Sequence, residues 1–364
     1  SFNIRGTTSI NGGDPLVVID GVVSSAAELN RMNPTDIGSI SVLKDAASAA
    51  IYGSRAANGV VIVTTKEGSN TEGKPIIDLS ANVGVSSPSK YLDLLDAAGW
   101  AEVTTVSRKA AGMNPLDMAT DLDSKPDNDW QSLMFSPALM QNYNLSVKGG
   151  GKYSTYYNSV GYTNQDGVMK GTNYQRYTLQ SKQDFKKGIF QAGTNIVLTY
   201  NQDKPLLSEI RGGYVGHTIQ AIPTLEQYDA NQTGGYGALY GDVVNLYNPL
   251  GMVDDNLMNR YSDNVKIFAN AYVSVEFMKG LKYKLNLTPD FQFYRYNSYL
   301  GLYDYGLNKN DITQVTEQQT RTRNVLVENL LTFDRTFGDH KISVLAGYTY
   351  QDSRYRYMQG SGQG

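Results

Sequence analysis

The segment FQAGTNIVLTY, residues 190–200, decides how this chain is read. In an extended backbone Phe190, Ala192, Thr194, Ile196, Leu198 and Tyr200 share one face, and Gln191, Gly193, Asn195, Val197 and Thr199 share the other. Alternation sustained along the whole segment marks a strand in a sheet with one apolar and one polar face. Strands that cross a membrane need about 9–11 residues, whereas strands of soluble sheets average about 5–6. This segment has the longer habit.

Working outward, the pattern returns. Val265, Ile267, Ala269, Ala271, Val273, Val275 and Phe277 oppose Lys266, Asn270, Tyr272, Ser274 and Glu276. Leu281, Tyr283, Leu285 and Leu287 oppose Lys282, Lys284 and Asn286, and Ile342, Val344, Ala346, Tyr348 and Tyr350 form another stripe. Strands are expected near 76–86, 141–149, 153–163, 173–185, 189–201, 264–278, 281–296, 318–335 and 339–355. The links GGGK, KKG, Lys279-Gly280 and FGDH are tight; those at 87–140, 202–263 and 297–317 are long, and 164–172 is intermediate. Short turns at one end and long loops at the other are the habit of outer-membrane barrels. Tyr143, Tyr153, Tyr156, Tyr157, Tyr162, Tyr174, Tyr177, Tyr200, Tyr348 and Tyr350 lie near strand ends, where rings at the water–lipid boundary are expected. An open edge is untenable in lipid, so these strands read as part of a larger barrel.

Composition narrows the alternatives. The 364 residues carry a formal charge of −3, which argues against a nucleic-acid partner. Two His and no Cys exclude thiol nucleophiles, thiolate metal sites and disulfides. No apolar run has the length of a membrane helix. The opening SFNIRGTTS has neither the charged nor the apolar region of a secretory signal, and the chain reads as a piece of something longer.

The first residues have a different grammar, that of a small α/β unit. LVVI, residues 16–19, is a short strand ending in the turn pair Asp20-Gly21. Pro34, Asp36 and Ile37 suggest a helical turn, and Ile40–Leu43 a second strand. Asp45 is placed to cap a helix over Ala46–Tyr52 that Gly53 ends, and VVIVTT, residues 60–65, is a central strand. GSRAANG, residues 53–59, has neither the ending nor the glycine spacing of a phosphate loop. Lys44 and Asp45 read as a strand end and a cap, Asp20 as a turn residue, and Arg55, amid small residues, as structural or gating.

Three stretches resemble a known family: DPLVVIDGV (14–22), NPTDIGSISVLKDAASAAIYGSRAANGVVIVTTKEG (33–68) and NDWQSLMFSPALMQNYNLSVKGGGKYSTYYNSVGYTNQDGVMKGTNYQRY (128–177). They are similar to TonB-dependent outer-membrane transporters, and among them to the SusC/RagA-like nutrient importers. The resemblance implies a membrane β-barrel of about 22 strands with an N-terminal α/β plug domain in its lumen. It implies that residues 1–70 are the plug, without its N-terminal part, and that residues 71–364 are the first part of the barrel with long extracellular loops. Lys44, Asp45, Tyr52, Gly53, Arg55, Asn58 and Gly59 fall on the plug signature, with Arg55 as a charged latch against the lumen wall. The resemblance further implies import across the bacterial outer membrane of an oligosaccharide or peptide. Its partners would be the inner-membrane TonB complex and a SusD-like surface lipoprotein, with no cofactor, no metal and no covalent chemistry.

The loops 202–263 and 297–317 are the candidate substrate loops. In QTGGYGALYGD, residues 232–242, Tyr236 and Tyr240 stand among glycines where their rings are free to stack on sugars, or to anchor an ordinary loop. A siderophore or cofactor receptor, and a non-transport surface receptor on the same barrel, are the alternatives.

Overall fold

The computed structural model describes residues 15–24, 26, 29, 32–43, 56, 58–205, 213–240 and 246–364. The N-terminal unit is a four-stranded sheet of β1 (Leu16–Ile19), β2 (Val22–Ser24), β3 (Ile37–Leu43) and β4 (Val60–Thr65), in the order β2-β1-β4-β3. β1 runs parallel to β4, and the other pairs are antiparallel. Val17, Ile19, Val61 and Val63 pack with Leu29 on one face, while Val18 and Val60 pack with Ala56 on the other. Both faces of β1 and β4 are covered, which is why their sequences are near-continuous apolar runs. Asp20 and Gly21 make the β1–β2 turn with φ of 49° and 81°, the pair of left-handed conformations that a two-residue hairpin needs and Asp tolerates. The expected helix over 46–52 and its Asp45 cap lie outside the described residues.

The rest of the chain is dominated by one sheet. Its strands are β5 (Ile76–Ser86), β6 (Ala138–Gly150), β7 (Ser154–Asp166), β8 (Asn173–Lys187), β9 (Phe190–Lys204), β10 (Met258–Met278), β11 (Leu281–Leu300), β14 (Gln314–Phe337) and β15 (His340–Gln363). Each pairs antiparallel with the next, giving a nine-stranded order β5 to β15. A small hairpin of β12 (Tyr303–Asp304) and β13 (Lys309–Asn310) decorates the loop between β11 and β14. Short helices α1 (Ala97–Ala110), α2 (Trp130–Met134), α3 (Gly213–Gln220) and α4 (Pro249–Met252) lie in the long connections. α1 is a 14-residue helix that starts at Ala97, because the Asp96 carboxylate caps the Gly99 N–H at 2.8 Å.

The sheet is polar where it is buried and apolar where it is exposed. Along β9, Ile196, Leu198 and Tyr200 are exposed, while Asn195, Thr199 and Asn201 are buried. β8 repeats the inversion, with Tyr177 and Leu179 outside and Thr178, Gln180 and Lys182 inside. So does β10, where Val273 is 50% exposed and Ser274 only 1%. In water this arrangement would be the wrong way round. A lipid-facing wall around a polar lumen requires it. Among the described residues no helix is long and apolar enough to cross a membrane.

The apolar band can be sized. From Phe190 to Tyr200 the chain rises roughly 33 Å, which at a strand tilt of roughly 40° is a height of roughly 25 Å, the depth of an outer-membrane apolar belt. At the loop-side limit Tyr143, Tyr162, Tyr177 and Tyr200 are register partners on four successive strands. Their ring centroids are separated by 6.4, 5.0 and 6.2 Å. The row continues through Val265 and Phe293 to Arg321, whose guanidinium lies over the Phe293 ring at 5.1 Å. Tyr157 departs from the expected boundary set. It sits at a lumen-facing register position opposite Lys182 and is fully buried.

Ile196 stands near mid-depth of this band. Ile196→Lys is expected to destabilise the membrane-inserted protein by about 2–4 kcal/mol. Urea titration of the vesicle-reconstituted protein measures this, and a loss below about 1 kcal/mol would contradict a lipid-facing Ile196.

Candidate functional site

The N-terminal unit is docked onto the lumen face of β6–β9 by polar groups at two points. The first is Asp20, at the tip of the β1–β2 hairpin. Its Oδ1 accepts the Thr65 N–H at 2.8 Å and its Oδ2 accepts the Thr65 hydroxyl at 2.5 Å, tying the turn to the end of β4. From the wall, the Asn195 amide donates to Oδ2 at 2.7 Å, and the Lys182 ammonium lies 3.5 Å from Oδ1. The ammonium also donates to the Thr65 hydroxyl at 3.3 Å and faces Glu67 at 3.9 Å. The Asp20 and Lys182 side chains are each 11% exposed. The carboxylate is held rigidly, since the Asp20 N–H donates to the Val63 carbonyl at 2.9 Å.

The second point is a 3-10 turn over Pro34–Asp36, capped by Asn33, which accepts the Thr35 N–H at 3.2 Å and the Thr35 hydroxyl at 2.8 Å. Asp36, 2% exposed, accepts the Tyr157 hydroxyl at 2.7 Å and the Asn144 amide at 3.5 Å. Arg176 donates to the Met32 carbonyl at 3.4 Å. Gly161 on β7 leaves room for this contact, because a Cβ there would stand 2.6 Å from the Asn33 amide nitrogen.

The opposite side of the hairpin stands off the wall. A cavity of about 710 Å³ separates Gly21–Ser24 from β10, β11, β14 and β15. Its far wall is rich in uncharged polar groups: Asn286, Thr288, Gln292, Thr322, Asn324 and Gln351. Lys266, paired with Asp290 at 3.3 Å, adds charge to it, as do Lys284 and Glu328.

Known proteins share both parts. Residues 1–60 match the family model of the TonB-dependent Receptor Plug Domain. Over 363 residues the chain is 32% identical to TonB-dependent receptor P3 of Formosa agariphila, covering 96% of this chain and 33% of that protein. It is also 32% identical over 263 residues to TonB-dependent receptor SusC of Bacteroides thetaiotaomicron, covering 68% of this chain and 25% of SusC. The RagAB peptide transporter structure superposes with a TM-score of 0.81 at 21% identity, over 96% of this chain and 42% of that one. The chain is a homologue of TonB-dependent receptors, SusC among them, and shares the fold of the RagAB structure. It spans about a third of the length of the curated relatives it matches most fully. Its architecture is that of an outer-membrane β-barrel protein with an N-terminal plug.

Of the residues expected on the plug signature, Asn58 and Gly59 form the turn that feeds β4. Gly59 has φ of 94°, donates to the Ala56 carbonyl at 2.9 Å and accepts the Leu16 N–H at 3.0 Å. Lys44, Asp45, Tyr52, Gly53 and Arg55 lie outside the described residues. The loops above the membrane fold into a cap with its own core, in which Trp130, Met134, Tyr214, Leu250, Tyr303 and Tyr305 are buried. Tyr236 packs against this core and donates its hydroxyl to Asp254 at 2.8 Å; burial and the Asp254 carboxylate hold its pKa well above the usual phenol value. Tyr240 is exposed, with its hydroxyl on Gln232 at 2.9 Å. His217 is buried in the cap, where its Nδ1 accepts the Tyr247 N–H at 3.3 Å.

Reading Asp20 as a turn residue alone missed its second role. The signal was there: a Gly or Asn satisfies a left-handed turn as well, and a carboxylate is chosen when it has donors to meet. Asp20→Ala leaves Lys182 and Asn195 facing a void, and loss of one partner of a buried pair costs about 3–5 kcal/mol. The plug is expected to loosen, with faster hydrogen exchange at the amides of position 20 and Thr65 and raised passive leakage of small solutes. Adding Lys182→Met is expected to recover part of the loss. Wild-type exchange rates in the single variant would contradict this assignment.

Proposed function

We propose that this receptor imports a nutrient, an oligosaccharide or a peptide, across the bacterial outer membrane in a TonB-dependent manner, with a SusD-type surface lipoprotein closing over the cap. In this reading residues 1–70 are the plug, and residues 71–364 form the barrel wall with its extracellular loops. The observation that carries it is the polar docking of the plug inside a lipid-facing wall. A lumen filled this way is shut to large solutes. It opens by pulling a few directional ties apart, without melting an apolar core. Such work has to come from outside the barrel, which is the part an energised TonB complex plays. Nothing in this account calls for covalent chemistry.

The substrate class rests on two features. The far wall of the cavity beside the plug hairpin is rich in uncharged amides and hydroxyls, which suit sugar hydroxyls or peptide groups. In the cap, Tyr240 and Tyr228 are exposed and offer ring faces to a ligand, while Tyr236 braces the loop through Asp254.

Uptake of labelled oligosaccharides and peptides by cells with and without TonB tests the reading. Loss of uptake without TonB is the expected result; uptake that persists, or binding without uptake, would turn the assignment toward a passive or purely sensory receptor. Tyr240→Ala is expected to weaken substrate binding by roughly fivefold. Tyr236→Phe should leave affinity unchanged while lowering cap stability by about 1 kcal/mol, since Asp254 loses a donor. Equilibrium binding and thermal melting of the two variants separate these roles.

A further inference from the structure

The lipid-facing side of the wall carries a groove of about 570 Å³, within the size range of about 300–1,000 Å³ typical of ligand clefts. It lies toward the tight turns. Phe185, Ala192, Val273 and Leu285 are register partners along one row of strands β8 to β11, and Thr194 pairs with Ala271 in the next row. The small side chains Ala192, Thr194 and Ala271 recess the surface between the larger Phe185, Val273 and Leu285.

Beside the groove, at its turn-side end, sit two cations. Lys152 in the β6–β7 turn and Lys187 at the end of β8 place their ammonium groups 5.2 and 5.5 Å from the centre of the Tyr153 ring. Neither forms an ion pair among the described residues. The nearby carboxylates are engaged elsewhere: Asp184, on the lumen face of β8, accepts the Tyr272 hydroxyl at 2.8 Å, and Glu276 accepts the Gly280 N–H at 3.1 Å. Lys187 is two to four residues from the groove's rows, roughly 7–13 Å along the strand.

We propose that this groove and its basic rim form a binding site for an anionic phospholipid of the leaflet on the short-turn side, which in outer-membrane barrels is the periplasmic one. One acyl chain lies in the recess, touched on its floor and both flanks, where a chain on a smooth wall is touched on one side. The phosphate meets Lys152 and Lys187, and the Tyr153 ring sits at headgroup depth, where amphipathic rings belong. Two cations without a carboxylate partner favour a net negative headgroup over a zwitterionic one.

Native mass spectrometry of the receptor, taken from nanodiscs of equal phosphatidylglycerol and phosphatidylethanolamine, tests the proposal. The wild-type protein is expected to retain phosphatidylglycerol in preference to phosphatidylethanolamine. The double variant K152E/K187E is expected to lower that retention about thirty-fold, and K152Q/K187Q serves if the charge-reversed protein fails to fold. Filling the recess with A192L/A271L is expected to abolish retention with both lysines intact. No retained lipid, equal retention of the two headgroups, or wild-type retention by the charge variant or the filled-groove variant would overturn the site. Each of these results leaves the transport reading untouched, since none involves the lumen or TonB.

Discussion

Hydrocarbon offers no hydrogen bonds, and the rest of this structure follows from that. Every backbone N–H and C=O at membrane depth must be met within the ladder, which selects long antiparallel strands paired along their length. Side chains facing lipid must be apolar, so the alternation of an extended strand sends every other residue, the polar set, inward. The lumen therefore cannot serve as an apolar core. Whatever lodges there has to meet Asn, Thr, Gln and Lys, and has to bring its own fold with it. The N-terminal unit does both: its small core of Val17, Ile19, Val61 and Val63 is internal, and it shows the wall Asp20, Asn33 and Asp36.

A polar seat differs from an apolar one in how it comes apart. Apolar contacts weaken gradually as surfaces separate, whereas a buried carboxylate loses its donors over an ångström or two and is then costly until water reaches it. The seat is thus specific in position and modest in net stabilisation. Among the described residues its placement is lopsided. Asp20 and Asp36 tie the plug to β6–β9, while a cavity lies on the side of β10, β11, β14 and β15. The wall also bends to the plug's needs, since Gly161 gives up a side chain so that Asn33 can approach.

The legible part of the sequence was the part the membrane constrains. Alternation located β5 to its observed bounds and placed the other eight strands, because lipid on one side and water on the other write a period of two into the residues. Where strands run on past the tyrosine row the period fades. β14 begins at Gln314 with QVTEQQT, and both faces are largely polar there because both meet water, so the expected start at 318 was late. Tyr157 was grouped with the boundary tyrosines because composition alone does not carry strand parity; its register opposite Lys182 turns it inward. Asp20 was legible as a turn but not as a tie, since its partners Lys182 and Asn195 are more than 160 residues away in sequence. The cap was illegible for the same reason. Trp130, Tyr214, Leu250 and Tyr303 come from three connections, Tyr214 and Leu250 standing 36 positions apart in one of them, and the contacts that make them a core are all non-local.

Three bodies, each stabilised by different physics, meet in this chain. The wall rests on its hydrogen-bond ladder and on lipid, the plug on a small apolar core with polar ties, and the cap on an apolar core outside the membrane band. Because the cap's core is built mostly from loop residues, with Met258 and Leu300 at the strand ends joining it, its exposed positions are free to change without disturbing the ladder below. Distant substitutions in such separate bodies add nearly independently. Ligand preference in the loops can therefore drift while the wall and the plug seat stay fixed. The two requirements meet where cap strands become wall strands: Arg260, on β10, donates to the Met252 carbonyl of α4 at 3.2 Å and lies 5.2 Å from the Tyr214 ring of α3. A residue that joins cap to wall in this way cannot vary as freely as Tyr240, because it answers to both.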